Sequence, residues 1–309
     1  VIEAKLYEYT APLKNGILRK GLYLCATDTI VEIAPLPGYS KETFETVKQE
    51  CKSLFTHEKN NPFSPSVAFA LSCLFQKKGS LRGIEQCALL RSTHELDHKK
   101  GYKRYKLKVK NLSLSEAISF TSKVYEQTGT PLRIDCNQSW NAEKTTSFLT
   151  YFSNDIIEYI EEPTPSLDDN LLLTKTTSHN VALDESLITL PFEQLQDVAS
   201  SFVFILKPTL IGPLDRFLTL DAQKFVLSSA FETGAGTRHL LNQIHQSDRI
   251  DPYVGWDTYS DILSDPIDPP CSGEISWNVQ LKNGLTLLLQ GPLLLGKAEP
   301  TPTTPFTSS

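Results

Sequence analysis

Tyr105-Lys106-Leu107-Lys108, Leu132-Arg133-Ile134-Asp135 and Ile157-Glu158-Tyr159-Ile160-Glu161 are short apolar runs that each close on an ionisable side chain. Between them lie amphipathic stretches of helix length, and the same unit repeats on both sides. Residues 87–90 precede these runs; 181–184, 202–207, 225–228 and 253–255 follow. Eight β-rich runs with helical spacers predict a parallel sheet, because parallel neighbours need a crossover between them. Eight units in about 170 residues predict a closed (β/α)₈-type barrel, compact beside the roughly 250 residues usual for that fold. A doubly wound sheet is the competitor. No GxGxxG follows any of the runs, and Gly234-Ala235-Gly236 lacks the third glycine.

A barrel of this kind carries its chemistry at the C-terminal ends of its strands. Those ends read Lys108, Asp135, Glu161, Asp184 and Lys207, spaced 27, 26, 23 and 23 residues apart, one βα unit each. A single strand-end charge is ordinarily a solvated one. Five consecutive strands that aim one ionisable group each at the same place are much harder to produce by accident. Three carboxylates on adjacent strands form an oxygen-only site suited to Mg²⁺, with Mn²⁺ as the second choice. A lysine on either side would face the two faces of a bound substrate. Beside a dication and out of water, a lysine loses proton affinity and can act as a general base. The set therefore predicts proton abstraction from carbon next to a carboxylate, with metal stabilisation of the resulting anion.

The flanking sequence differs in texture. Residues 1–35 alternate as strands, with a turn at Asn15-Gly16. Ser40 is the expected start of a helix, and 66–75 reads as a closely packed one. From residue 265 strand-like sequence returns at 276–281 and 285–289, joined at Asn283-Gly284. The stretch 298–309, rich in Pro, Thr and Ser, reads as disordered. The expected organisation is 1–84 as an N-terminal α+β unit, 85–260 as the barrel, and 261–309 as a segment returning to the first unit.

The chain has 309 residues, is 40% hydrophobic and 21% charged, and carries a net charge of −6, which excludes a disordered or fibrous protein and gives no general attraction to nucleic acid or anionic lipid. The densest apolar run, 285–295, is broken by Gln290, Gly291 and Pro292. Charges at Glu3, Lys5 and Glu8 argue against a signal peptide, and the absence of any Met has no chemical explanation in the sequence. Six Cys without a CxxC pair read as buried thiols of a reducing cytoplasm. His94-Glu95-Leu96-Asp97-His98 matches the zinc-protease HExxH, but Lys99-Lys100-Gly101 follows at once, so a surface segment is expected.

At this point the chain resembles the enolase superfamily, in its muconate-lactonising subgroup. Lys106-Leu107-Lys108 is similar to that subgroup's KxK, Asp135-Cys136-Asn137 to its DxN, Glu161-Glu162-Pro163 to its E(E/Q)P, Asp184-Glu185-Ser186 to its DES, and Lys207-Pro208 to its KP. Within the subgroup the o-succinylbenzoate synthase family is similar through Ile33 to Ser40, Pro65-Ser66-Val67-Ala68-Phe69, Leu206 to Leu210, Ser228 to Thr233 and Gly255-Trp256-Asp257-Thr258. The resemblance implies a (β/α)₇β TIM-like barrel in the α/β class, with an α+β capping domain formed from both termini. It implies Mg-dependent syn-elimination of water from 2-succinyl-6-hydroxy-2,4-cyclohexadiene-1-carboxylate, a step of menaquinone biosynthesis. Lys108 and Lys207 are then the catalytic pair and Asp135, Glu161 and Asp184 the metal ligands. Lys106, Arg133, Asn137, Ser228 and Gly255 would serve substrate binding, Arg133 because it shares a strand face with Asp135. Lys110 stands where relatives often have Gly, and Ala230 where they often have Ser. N-acylamino acid racemisation or dipeptide epimerisation on the same lysine pair is the rival reading. The short stretch 10–20, which suggests an open cap, favours the synthase. A non-catalytic barrel would have let the acid triad decay. Only a small-molecule partner is implied; oligomeric state is left open, a monomer being compatible.

Overall fold

Eleven residues from Ile2 to Pro12 alternate in burial along one long strand, β1, which begins an antiparallel sheet. The structure, a computed structural model, describes residues 2–56, 62–79, 84–267 and 285–294. β2 (Leu18–Ala26) and β3 (Thr29–Ile33) follow β1, and helices α1 (Phe44–Ser53) and α2 (Pro65–Leu74) pack on the sheet. The first helix starts at Phe44 and not at Ser40. Ser40 is used elsewhere: its Oγ accepts from Leu36 N at 2.8 Å and closes the loop, while Thr43 Oγ1 caps the helix through Thr46 N at 3.1 Å. Pro65 opens α2, where its missing N–H costs nothing.

The parallel unit begins with two short strands, β4 (Glu85–Gln86) and β5 (Ala88–Leu90), and continues as β6 (Tyr105–Lys108), α3 (Leu114–Thr128), β7 (Leu132–Asp135), α4 (Ala142–Leu149), β8 (Ile157–Glu161), α5 (Leu167–Thr176) and β9 (Val181–Leu183). Then come α6 (Glu185–Thr189), α7 (Phe192–Val198), β10 (Val203–Leu206), α8 (Pro208–Ile211), α9 (Asp215–Leu218), β11 (Lys224–Leu227), α10 (Gly234–Asn242) and β12 (Tyr253–Val254). β5 to β11 form one sheet in sequence order, every pair parallel. β12 joins its two ends: it pairs with β4, and single bridges Phe225–Ile250 and Ser228–Gly255 tie that segment to β11. All eight expected strands are present; the two-residue β4 is too short for any pattern to show. Spacers end where their caps dictate. Ser113 and Glu116 close a capping box at the head of α3, and Gly129 ends it at φ +62°, a conformation that favours glycine.

The core is layered. Tyr159, Ala182, Val203, Ile205 and Val226 fill the inside of the barrel, and a larger apolar layer lies between strands and surrounding helices. A third cluster, with Tyr9, Ala11, Tyr23 and Ala34 from the antiparallel unit and Ala235 from α10, joins the two units. β13 (Thr286–Leu293) lies beside β1 in antiparallel register, so the expected run 285–289 does return to the first sheet. The runs 276–281 and 298–309 and the Asn283-Gly284 turn lie outside the described residues. Cys51, Cys73, Cys87 and Cys136 are buried free thiols and Cys25 is partly exposed; Cys271 lies outside the described residues. Residues Thr93–His98 form a short 3₁₀ turn with both histidines exposed. In a 3₁₀ turn, positions i and i+4 diverge, so this segment does not present a two-histidine face. Among the described residues no helix is long and apolar enough to cross a membrane.

Candidate active site

The ladder register brings the ionisable strand ends side by side. Lys108 pairs with Asp135, and Asp135 with Glu161, across β6, β7 and β8. Asp184 and Lys207 stand one residue beyond β9 and β10, Ser228 one beyond β11, and Gly255 one beyond β12. Lys106 lies two residues before Lys108 and so on the same face. All three acids are buried. One cavity is lined by Lys106, Lys108, Asn137, Lys207, Ser228 and Gly255 from the barrel, and by Leu36 and Tyr39 from the loop after β3.

The charges are interleaved. Lys106 Nζ lies 2.8 Å from Asp135 Oδ2 and 2.6 Å from Glu161 Oε1. Lys108 Nζ donates to Asp135 Oδ2 at 2.6 Å and to Asn137 Oδ1 at 3.0 Å, and Lys207 Nζ donates to Asp184. Burial alone would raise the Asp135 carboxyl, but Lys106 and Lys108 outweigh it and hold it below the usual carboxylate range. Glu161 goes the other way: burial, then the neighbouring Asp135 charge, push it well up despite Lys106. Burial would lower Lys207, yet Asp184 keeps its ammonium above the ordinary lysine range.

Glu162, the residue after Glu161, works beneath the site. Its carboxylate accepts from Asp184 N (2.9 Å), Ser186 N (2.8 Å), Ser186 Oγ (3.2 Å) and Gln138 Nε2 (3.1 Å). It thereby fixes the turn that presents Asp184. Asn137 Nδ2 donates to Glu185 Oε1 at 3.0 Å, linking Lys108 through Asn137 to a second acid. Backbone strain gathers at the same rim: Asn137, Gln138, Glu162 and Phe231 all have φ between +40° and +61°. Such conformations in non-glycine residues cost about 1–3 kcal/mol each and persist where the surroundings hold them.

As the side chains stand, no three His, Cys, Asp or Glu among the described residues are arranged to hold a metal ion, because ammonium groups stand between the acids. The donor chemistry nevertheless fits a hard divalent cation. Asp135, Glu161 and Asp184 offer oxygen only, and Glu161 Oε2 and Asp184 Oδ1 are buried without a hydrogen-bond partner.

One predicted residue sits elsewhere. Arg133 shares the inward face with Asp135, but it lies below the cavity and does not line it. Its guanidinium is 1% exposed and bonds Glu158 Oε2 (2.9 Å), Asp251 Oδ1 (3.2 Å) and Tyr253 O (2.7 Å), over the Tyr159 ring. Two residues along a strand is one layer of the barrel, and the partner acids in the lower layer claim the arginine. Lys110 is exposed and outside the cavity, whereas Ala230 lines it. Tyr39 and Asp257 are among the lining residues not singled out in the sequence. Tyr39 arrives from the first unit. Asp257 accepts from Leu89 N (2.8 Å) and Lys99 Nζ (2.5 Å), bolting the segment after β12 to β5. Its signal was the Gly255-Trp256-Asp257-Thr258 motif itself.

Comparison with known proteins agrees with this architecture. The family profile described as "Enolase C-terminal domain-like" matches residues 88–212, and that described as "MenC, N-terminal domain" matches residues 1–77. The chain belongs to the enolase superfamily. Within it, this protein is like the o-succinylbenzoate synthases. The o-succinylbenzoate synthase of Aliivibrio fischeri (strain MJ11) is 29% identical, over 77% of this chain and 84% of the relative. The o-succinylbenzoate synthase of Thermosynechococcus elongatus BP-1, solved with Mg in the active site, superposes with a TM-score of 0.70 at 24% identity, over 85% of this chain and 95% of that one. The N-succinyl Arg/Lys racemase of Bacillus cereus ATCC 14579 superposes with a TM-score of 0.73 at 15% identity, over 93% and 100%. At those identities the two structures speak to the fold alone.

Proposed function

We propose that this protein is an o-succinylbenzoate synthase, a hydro-lyase of menaquinone biosynthesis. It would convert 2-succinyl-6-hydroxy-2,4-cyclohexadiene-1-carboxylate to 2-succinylbenzoate and water. The observation that carries the reading is the lining of one cavity by Lys108 and Lys207, on strands that flank the three carboxylate-bearing ones. Relatives named as this synthase over most of the chain support the choice of reaction. Residues 85–260 would supply the chemistry. Residues 1–84 and 261–309 would form the cap, with Leu36 and Tyr39 closing over the substrate. Buried free thiols suit the cytoplasm, where glutathione keeps cysteines reduced.

Asp135, Glu161 and Asp184 would hold Mg²⁺, or Mn²⁺ in its place, and the ion would supply an anchor for the substrate carboxylate and a sink for negative charge. Lys108, in its neutral amine form, takes the proton from the carbon bearing that carboxylate. The electron pair left behind spreads into the carboxylate. Lys207 stays charged and faces the other side of the ring, where it offsets the developing negative charge. Departure of the hydroxyl from the adjacent carbon makes the ring aromatic. The Lys108 ammonium returns its proton to that oxygen, so water leaves and the amine is regenerated. Because one lysine serves both steps, the proton and the hydroxyl depart from the same face. Asn137 orients Lys108, and Ser228 and Gly255 contact the succinyl arm.

The placement of Lys207 in the same cavity as Lys108 favours a second reading, racemisation of N-acylamino acids, since a second lysine could return a proton to the opposite face. The test is direct: formation of aromatic product with Mg²⁺ is followed by absorbance for wild type, Lys108→Ala and Lys207→Ala. Each lysine loss should cost about 10²–10⁴-fold in kcat, and EDTA should abolish turnover. Inactive wild type with active racemisation of N-succinylamino acids would replace the synthase reading. Turnover surviving Lys108→Ala would remove the mechanism.

A further inference from the structure

Arg19 lies on β2, away from every strand end discussed above, and its side chain is 1% exposed. A guanidinium that deep must satisfy its donors within the protein. Its hydrogen bonds all go to main-chain carbonyls: Nη1 to Pro35 O, Nη2 to Ala34 O and to Ala230 O (3.2 Å), and Nε to Phe231 O (3.4 Å). The carbonyls belong to two separate pieces of chain. Ala34 and Pro35 lead into the loop that brings Leu36 and Tyr39 to the cavity, and Ala230 and Phe231 are themselves part of its barrel wall.

A second residue of the same unit grips the far end of that wall. Glu32 on β3 accepts from Thr233 N (2.9 Å), Thr233 Oγ1 (2.7 Å) and Gly236 N (3.0 Å). A Cβ on Gly236 would come within 2.5 Å of the Glu32 carboxylate, so the approach depends on glycine there. Phe231, at φ +61°, turns its carbonyl toward Arg19 through a conformation that an L-residue seldom adopts unaided.

We infer that Arg19 is a positioning residue that sets the separation between the cap wall of the cavity (Leu36, Tyr39) and its barrel wall (Ala230, Phe231), and so governs substrate fit remote from the lysines. The planar fork is what allows this. Three nitrogens at fixed angles bind two chain segments at once, which a lysine's single ammonium cannot reproduce. The consequence for turnover rests on the proposed synthase reading; the coupling of the two walls does not.

The two are tested separately. Native-state hydrogen exchange on wild type, in increasing sub-denaturing guanidinium chloride, should show amides of 34–40 and 228–233 opening together, with one shared denaturant dependence. Arg19→Lys should speed exchange in both segments while leaving one cooperative thermal transition. In the synthase assay its KM should rise about tenfold with kcat within about threefold, because fit is lost and the lysines are untouched. Independent opening of the two segments in wild type overturns the inference, even if Arg19→Lys fails to fold. So does a folded Arg19→Lys protein in which exchange rises in one segment alone, or KM stays unchanged while synthase activity is present. Absence of synthase activity in wild type, with joint opening intact, overturns the assigned reaction and leaves the coupling standing.

Discussion

Replacing Glu32 with Gln should change how stability depends on pH more than it changes stability itself. Glu32 is buried between the two units, where burial, with a smaller contribution from the Glu232 charge, outweighs the help of Tyr9, Thr233 and Arg19 and pushes its carboxyl from an ordinary 4.5 up to about 7. A raised carboxyl means that the folded protein holds a proton that the unfolded chain has already released. Between about pH 4.5 and 7 the folded state therefore binds one proton more, and stability falls as pH rises. The contribution is fully present below about 4.5, is lost through about 7, and is flat above. At about 1.4 kcal/mol per pKa unit, the fall amounts to about 3 kcal/mol across that window. Gln cannot ionise, so Glu32→Gln should lack this slope whatever constant offset its amide introduces. The assay is guanidinium denaturation of wild type and variant in steps of about one pH unit from about 5 to 8. Subtracting the variant also removes the parallel contribution of Glu162, which burial likewise raises to about 7. A wild-type-minus-variant difference that stays flat, or grows with pH, would refute the reasoning.

Other consequences are simpler to state. Arg133→Met removes the deepest cation from Glu158 and Asp251, which keep Lys224 at 3.0 Å from each, and should cost about 1–3 kcal/mol in denaturation, with KM unchanged in the synthase assay. Glu162→Gln loosens the turn carrying Asp184 and should weaken Mg²⁺ binding about 10–100-fold by calorimetric titration. Asp257→Asn breaks the ion pair to Lys99 and the seam beside β5. Amides at 88–90 and 253–255 should then exchange faster, while those of the antiparallel sheet stay as they were.

The barrel was legible because its evidence is periodic: one apolar run per βα unit, each closing on a charge. That pattern carried Lys108, Asp135, Glu161, Asp184 and Lys207 to adjoining strand ends without knowledge of any contact. The placement of Arg133 was not legible, since its inward direction is a matter of period two, but its depth is decided by Glu158, Asp251 and the backbone at Tyr253, two of them more than a hundred residues distant. The start of α1 failed for a local reason. Ser40 and Thr43 are equally good capping residues, and only the folded loop shows that Ser40 is committed to Leu36 N. The roles of Arg19 and Glu32 were hidden because Arg19 binds only, and Glu32 in part, main-chain atoms of remote segments, and main-chain partners leave no trace in residue type.

The pairing of β1 with β13 also bears on how the protein is made. β1 has β2 on one side from early in synthesis, but its other edge is covered only when Thr286–Leu293 emerges. At the usual 5–20 residues per second, the ribosome leaves that edge open for roughly 15–60 s. Throughout that interval the nascent chain offers a row of unpaired N–H and C=O groups to any other extended strand nearby. Premature termination anywhere in the barrel would leave the edge open for good, so truncated products should be drawn to chaperones and aggregates even when their βα units have folded.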